Sequence, residues 1–315
     1  MGSYILKRLL MLFPVLLGIS LIVFGLMALI PGDPALAMLG PYATEENLQE
    51  LREDLALDEP LPVQYLTWLG NIARGDFGTS ISLNRPVIDE VLERFGATLL
   101  LAGAALLLCT LLGLAAGIVM AIRQFSWTDR LLSLAVLAGI STPSFWLGLL
   151  FVLIFSIHLN WFPASGMLPV VGDGGAGDLL RHLVLPAATL ALVAAGVIAR
   201  LMRGQMLEVL RQDYIRTARA KGVRESAVLF RHAFRNALVP MVPVIGIQSG
   251  FLIGGAVYVE TIFQWPGIGR MLVQAIGTRD LLLVQGGVLV IAASYVLINL
   301  ATDLIQHALD PRIKT

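Results

Sequence analysis

GATLLLAGAALLLCTLLGLAAGIVMAI, residues 96–122, runs for 27 residues without an Asp, Glu, Lys, Arg or His. At about 1.5 Å of rise per helical residue, roughly 20 apolar residues cross a hydrocarbon layer of about 30 Å. The run is therefore long enough to span a bilayer. Five more uncharged runs occur, at 9–30, 131–157, 183–199, 237–259 and 281–302. The fourth run, with 17 residues, is at the short limit for a span and extends by snorkelling of His182 or Arg200. The expected fold is an all-α membrane protein of six transmembrane helices. Composition agrees, because 57% of the 315 residues are hydrophobic and only 14% charged, too few to cover a soluble surface.

The first run follows Lys7 and Arg8, and Ala35-Leu36-Ala37 resembles a cleavage site. Its 22 residues exceed a signal h-region of about 7–15, so it is read as a span. Orientation comes from the loops. With the N-terminus inside, segments 1–8, 123–130, 200–236 and 303–315 hold 15 Lys/Arg, and the opposite side holds 7. The positive-inside rule then places both termini in the cytoplasm. Segment 31–95 carries twelve acidic and four basic residues. It reads as a solvated external subdomain, or as a docking or lid element for an external partner. A helix start is marked by Thr44 before Glu45 and Glu46. The expected organisation is 1–30 as an N-terminal tip and first helix, and 31–95 as the acidic external loop. Residues 96–304 form a five-helix core with a cytoplasmic loop at 200–236, and 305–315 a cytoplasmic tail. Residues 172–177 form a glycine-rich turn.

Several chemistries have no residues to perform them. Cys109 is the one cysteine and reads as a packing residue, and the four histidines form no H-E-x-x-H set. No phosphate-binding glycine loop is present, so neither a metal site nor a catalytic residue is expected here. The span interiors carry no ionisable group of the kind that ion-coupled carriers place at membrane depth. Na⁺ coordination by the backbone of broken helices is the alternative that this leaves open. Within the spans, the third contains Ser141-Thr142-Pro143-Ser144, where hydroxyls help satisfy what the proline frees. Gly113 and Gly117 in the second, and Gly246, Gly250 and Gly254 in the fifth, are spaced for close helix approach. Two readings stand for these polar and small residues. They are packing devices, or Ser141, Ser144, Gln248 and Ser249 line a translocation pathway.

The most specific region is the basic segment 200–236. Residues 207–221 are good helix formers, Gly222 supplies a left-handed stop, and a second short helix runs from Arg224 into the fifth span. Such a hairpin on an inner membrane surface reads as a lipid anchor. The small residues Thr217, Ala218 and Ala220 instead give it a low-relief face suited to a protein groove.

The run Asp213-Tyr214-Ile215-Arg216-Thr217-Ala218-Arg219-Ala220-Lys221-Gly222 resembles the coupling loop of binding-protein-dependent ABC importer permeases. The dipeptide/oligopeptide/nickel/glutathione subfamily is the nearest. Further tags agree along nearly the whole chain: Ile30-Pro31-Gly32-Asp33-Pro34, Gly75-Asp76-Phe77-Gly78, Glu260 through Arg270, Val284-Gln285-Gly286-Gly287 and Asp310-Pro311-Arg312-Ile313. Departures exist. Arg216-Thr217-Ala218 replaces the Glu-Ala-Ala of the general signature, Pro240 lies farther from Gly222, and Leu282 stands where relatives often carry proline.

The resemblance implies a type I ABC importer permease in a bacterial inner membrane, with no enzymatic activity and no cofactor of its own. It implies a sister permease, two cytoplasmic ATPase subunits that hold ATP and Mg, and an external solute-binding protein, with membrane lipid around the spans and no nucleic acid. Coupling to the ATPase falls on Thr217, Ala218, Ala220 and Gly222, flanked by Arg216, Arg219 and Lys221. The cargo implied is a di- or oligopeptide, with glutathione or chelated nickel as alternatives. A carrier or channel without ATPase subunits, or a membrane scaffold, is the competing class.

Overall fold

The computed structural model describes residues 2–29, 34–40, 43–54, 56–169 and 174–309. The 30–33 part of the first tag, residues 172–173 of the glycine turn and the tail tag at 310–313 lie outside the described residues. Helices dominate, with one two-stranded hairpin among the described residues. The chain divides into two compact units. One holds the described residues up to Ala97 together with Gly267–Val296, and the other holds Thr98–Pro266 with the residues from Leu297 onward.

The first unit contains α1 (Gly2–Ala28), α2 (Pro34–Leu39), α3 (Glu45–Asp54) and α4 (Leu61–Ala73). Strands β1 (Thr79–Ser80) and β2 (Arg85–Pro86) come next, and α5 (Val87–Ile122) begins here. The Asn47 amide donates to Thr44 Oγ1 over 3.2 Å, so α3 starts where the sequence placed it. Helices α1 and α4 meet through Phe24, Tyr65 and Trp68, whose ring centroids lie 5.4–6.1 Å apart. Tyr65 Oη and Ser20 Oγ share a hydrogen bond of 2.8 Å.

Gly75-Asp76-Phe77-Gly78 is the turn that feeds the hairpin. Gly78 adopts φ +77°, and its amide donates to Asp76 Oδ1 over 2.9 Å. The apolar core of this unit gathers Val87, Val91, Ile268, Met271 and Leu283, with Leu282 among them. Leu282 lies under the turn, where its Cδ1 would stand 3.0 Å from a Cβ at Gly78. A leucine at this position therefore fills core space. Beside it, buried Asp280 accepts from Ser80 Oγ (2.6 Å), Ser82 Oγ (2.7 Å) and the amides of Ser82 and Leu283.

The second unit takes in α6 (Trp127–Ser141), α7 (Ser144–Phe151), a π-helical turn at Val152–His158 and α8 (Ala176–Leu210). After α8 come α9 (Asp213–Ala220), α10 (Glu225–Ala227), a second π-helical turn at Val228–Phe234 and α11 (Arg235–Leu238). The last helices are α12 (Met241–Ile262), α13 (Ile268–Thr278, in the first unit) and α14 (Leu281–Leu309).

Among the described residues, four helices, α5, α8, α12 and α14, are long and apolar enough to cross a membrane. The third sequence run is corrected from one helix to two, α6 and α7 with its π turn, meeting at 107°. Pro143 causes the break. It disfavours a helical residue before it, and Thr142 is extended at φ −88°, ψ 127°. The Thr142 hydroxyl donates to the Ala138 carbonyl over 2.7 Å. Counted as one span, the pair makes five, and the first run appears as the shorter apolar stretch Leu10–Leu26. The all-α membrane architecture stands, and among the described residues the spans appear as four long helices, one bent pair and the shorter stretch Leu10–Leu26 rather than as six unbroken helices.

Helix α8 is the centre of its unit. In its most apolar window 72% of residues are buried, against 33–44% in the other three long helices. A Cβ at Gly113 would lie 2.7 Å from Ile198 Cβ, and one at Gly117 would lie 2.6 Å from the Ala199 carbonyl. A Cβ at Gly196, on α8 itself, would meet Ile140 of α6 at 2.6 Å. Without a hydrophobic drive between helices in lipid, such small-residue contacts supply the packing. The stripe on α12 is less uniform. Gly246 packs against Thr302 of α14, but a Cβ at Gly254 would meet nothing within 4 Å.

Gly117→Leu is expected to lower the thermal midpoint of the detergent-solubilised protein, since overpacking costs about 1–3 kcal/mol. Gly103→Ala, with open space at its Cβ, is expected to leave the midpoint unchanged. Asp280→Ala removes the acceptor for the two serines. Proteolysis at 81–84 should accelerate several-fold, and an unchanged cleavage rate would count against the staple.

Candidate functional site

The basic segment between α8 and α12 forms a hairpin of short helices. Helix α8 does not run into α9. Gln212 is extended at φ −72°, ψ 150° and serves as N-cap, so the helix expected over 207–221 is corrected to two helices with a joint at 211–212. Asp213 then sits in the first turn of α9 and Arg219 in the last, each at the end of the helix dipole that favours it.

Gly222 ends the helix at φ +76°. The Gly222 amide donates to the Arg219 carbonyl over 2.9 Å and the Val223 amide to the Ala218 carbonyl over 3.2 Å. This double closure with glycine in the left-handed position is a Schellman motif. Ile215 is fully buried and fixes which face of α9 turns inward. Arg216, Thr217, Arg219, Ala220, Lys221 and Gly222 are exposed, and Ala218 is half-buried.

Three side-chain links reach from α9 into the 225–236 segment. Arg219 donates through Nε and Nη2 to both Glu225 oxygens, over 3.1 and 2.7 Å. Asn236 Nδ2 donates to Tyr214 Oη over 2.8 Å. The Tyr214 hydroxyl in turn donates to the His232 carbonyl over 3.4 Å, and Asn236 Nδ2 also reaches that carbonyl over 2.9 Å. The hydrogen bonds from Arg219 hold the Glu225 carboxyl below the usual carboxylate range and raise the Arg219 guanidinium further. Sequence reading missed Glu225 and Asn236, because both partners become visible only once the Gly222 turn folds the chain back.

A second feature absent from the sequence reading lies near the start of α6. Buried Asp129 accepts Arg203 Nε over 3.0 Å and Nη2 over 2.9 Å, joining α6 to α8. Phe125, at φ +65°, donates its amide to the same carboxylate over 3.0 Å.

A cavity of about 430 Å³ opens between α5, α12 and α14, lined by residues including Leu99, Val242, Ile245, Ser249, Ile298 and Thr302. Of the four pathway candidates, Ser249 lies on its wall, and its hydroxyl donates to the Gly246 carbonyl over 2.6 Å. Gln248 is buried, Ser144 half-buried and Ser141 exposed at the α6–α7 break. Buried Glu260 sits in the last turn of α12 and accepts from Thr98 Oγ1 over 2.5 Å. The helix thus extends past the uncharged run to include a carboxylate.

Residues 113–315 match the family described as "Binding-protein-dependent transport system inner membrane component". Residues 1–102 match its N-terminal companion, described as "Binding-prot-dependent transport system membrane comp, N-term". The chain belongs to this family. It is similar to the dipeptide transport system permease protein of Alkalihalophilus pseudofirmus, at 42% identity over 100% of both chains. It is similar also to the glutathione transport system permease protein of Escherichia coli K12, at 40% identity over 100% of this chain and 99% of the relative. Among solved structures, an inward-facing form of the MetNI methionine ABC transporter shares the fold. Its TM-score is 0.57 at 19% identity, covering 70% of this chain and 96% of that one. The chain is an inner-membrane permease component, with the peptide and glutathione permeases as its relatives.

The Arg219–Glu225 link carries a pH signature. A lowered carboxyl pKa means the pairing is complete above the ordinary Glu value of about 4.3 and is lost as pH falls through the lower folded value. Protease cleavage at 221–225 is expected to be constant from pH 8 to 5 and to rise only below about pH 4. A rise already at pH 6 would contradict the pairing. Both side chains are about half exposed, so the effect is local.

Proposed function

We propose that this chain is the permease subunit of an ATP-driven importer, moving di- or oligopeptides or similar small solutes handed to it by an external binding protein. The observation that carries the reading is α9, a short exposed helix closed by Gly222 in a chain that matches the permease family over residues 1–102 and 113–315. In this reading a cytoplasmic ATPase subunit seats the α9 surface formed by Arg216, Thr217, Ala218, Arg219, Ala220, Lys221 and Gly222. Small residues permit close seating, and the flanking cations orient the dock. ATP and Mg belong to the two ATPase subunits, and this chain pairs with a sister permease. Both termini lie in the cytoplasm, in line with the charge asymmetry of the loops.

Glutathione is the second cargo reading, favoured by the 40% identical glutathione permease. Cargo choice rests mainly with the binding protein, so binding measurements on that partner with a peptide panel and glutathione separate the two. For the subunit role, complexes purified through this chain are expected to carry two ATPase chains and a sister permease. Gly222→Val is expected to cut solute uptake per ATP hydrolysed at least ten-fold in proteoliposomes. A left-handed φ costs a β-branched residue about 1–2 kcal/mol and so displaces the end of α9. Wild-type coupling in that variant would overturn the role given to α9.

A further inference from the structure

Helix α9 is separated from regular helix at both ends. On one side Gln212 is extended at φ −72°, ψ 150°. On the other, Gly222 is left-handed and Arg224 is extended at φ −56°, ψ 138°. Neither joint transmits torque or displacement as a continuous hydrogen-bonded helix does.

The chain beyond Arg224 is different. Ala227, Val228, Phe234, Arg235, Val239 and Pro240 are all right-handed helical, from α10 through the π turn and α11 to the start of α12. That segment is a nearly unbroken rod ending in a long apolar helix. Ala233 and Ala237 are fully buried along it.

Side-chain links therefore decide which long helix moves with α9, and the links from Arg219, Tyr214 and Asn236 all run to the rod. Packing of buried Ile215 resists compression, while directional hydrogen bonds resist sliding. The Tyr214–Asn236 bond joins the first turn of α9 to α11, four residues before Pro240, and both side chains also hold the His232 carbonyl inside the π turn. Arg219–Glu225 braces the other end across Gly222.

We infer that Tyr214 and Asn236 are positioning residues that latch α9 to the segment entering α12, so that displacement of the docked helix passes into α12. The inference rests on the ATP-driven reading proposed for this chain. Tyr214 lies outside the seven-residue docking surface, so the latch and the dock are separable by mutation. Tyr214→Phe removes one oxygen from a part-exposed ring and keeps the rest of α9.

The test uses the complete transporter in proteoliposomes, with Tyr214→Phe, Asn236→Ala and the double variant. Solute imported per ATP hydrolysed is read beside subunit recovery. The ratio is expected to fall about five-fold in each single variant, the factor one net hydrogen bond supports, with ATPase subunits recovered as in the wild type. The double variant is expected to lose less than the product of the two single losses, since both remove the Tyr214–Asn236 bond. An unchanged ratio in both single variants would overturn the latch, as would a parallel loss of transport and ATPase activity, which marks a structural role only. A wild-type complex that takes up solute without ATPase subunits would overturn both the latch and the reading beneath it.

Discussion

At Gly113, Gly117 and Gly196 the backbones around α8 come so close that a single added methyl group would collide with a neighbouring chain segment. In lipid this closeness has a special value, because apolar side chains gain little by leaving hydrocarbon for hydrocarbon. Dispersion contacts and geometry must hold the helices together. Burial of Ala191, Ala194, Ala195 and Ala199 along α8 follows from the same constraint. Small residues allow α5 and α6 to lie against one helix without voids. The bidentate Asp129–Arg203 pair then fixes the register of α6 on α8 at one end of the packed face.

A rigid α8 makes the joint after it meaningful. Had the helix continued through Gln212, α9 would be an extension of α8 and would move with it. The extended residue at 212 removes that option, and the Schellman closure at Gly222 removes the equivalent option toward α10. The result is a short helix held by one buried side chain and by polar links to the segment leading into α12. Exposure of its other face is a consequence, because a helix with one buried residue out of eight has most of its surface left to present. Its availability as a dock and its dependence on side-chain links have one origin.

Sequence reading recovered features whose cause is local. Long uncharged runs became helices, Thr44 became a cap, and Gly222 took the left-handed stop assigned to it. It failed where the cause is distant. The run at 183–199 looked marginal because His182 and Arg200 bound it, yet the helix runs through both, from Ala176 to Leu210. Arg203 is accommodated by Asp129, 74 residues away. The glycines of α12 read as one stripe, but only the tertiary position of Thr302 shows that Gly246 is pressed against α14, while Gly254 faces open space. The joint at Gln212 was invisible for another reason. Helix propensity varies by only tenths of a kcal/mol among ordinary residues, so it does not locate a break between two good helix-forming stretches.

The same distinction separates the residues proposed for coupling from those proposed for the pathway. A surface helix closed by a glycine is specified within about ten consecutive residues, and a resemblance over that run carries its conformation along with it. A pathway is specified by which faces of several helices meet, and serine or glutamine in a span has two uses that sequence does not distinguish. Ser249 shows both at once, since it lines a cavity while its hydroxyl is returned to the Gly246 carbonyl of its own helix. Thr142 makes the corresponding bond to Ala138 at the bend of α6. Hydroxyls that satisfy their own backbone keep a polar atom stable in an apolar setting without any solute present. Their presence in a span is therefore explained by helix chemistry first, and on α9 the Thr217 hydroxyl makes the same kind of bond, to the Asp213 carbonyl over 2.9 Å, while Arg219 pairs with Glu225 and Arg216 with Asp213.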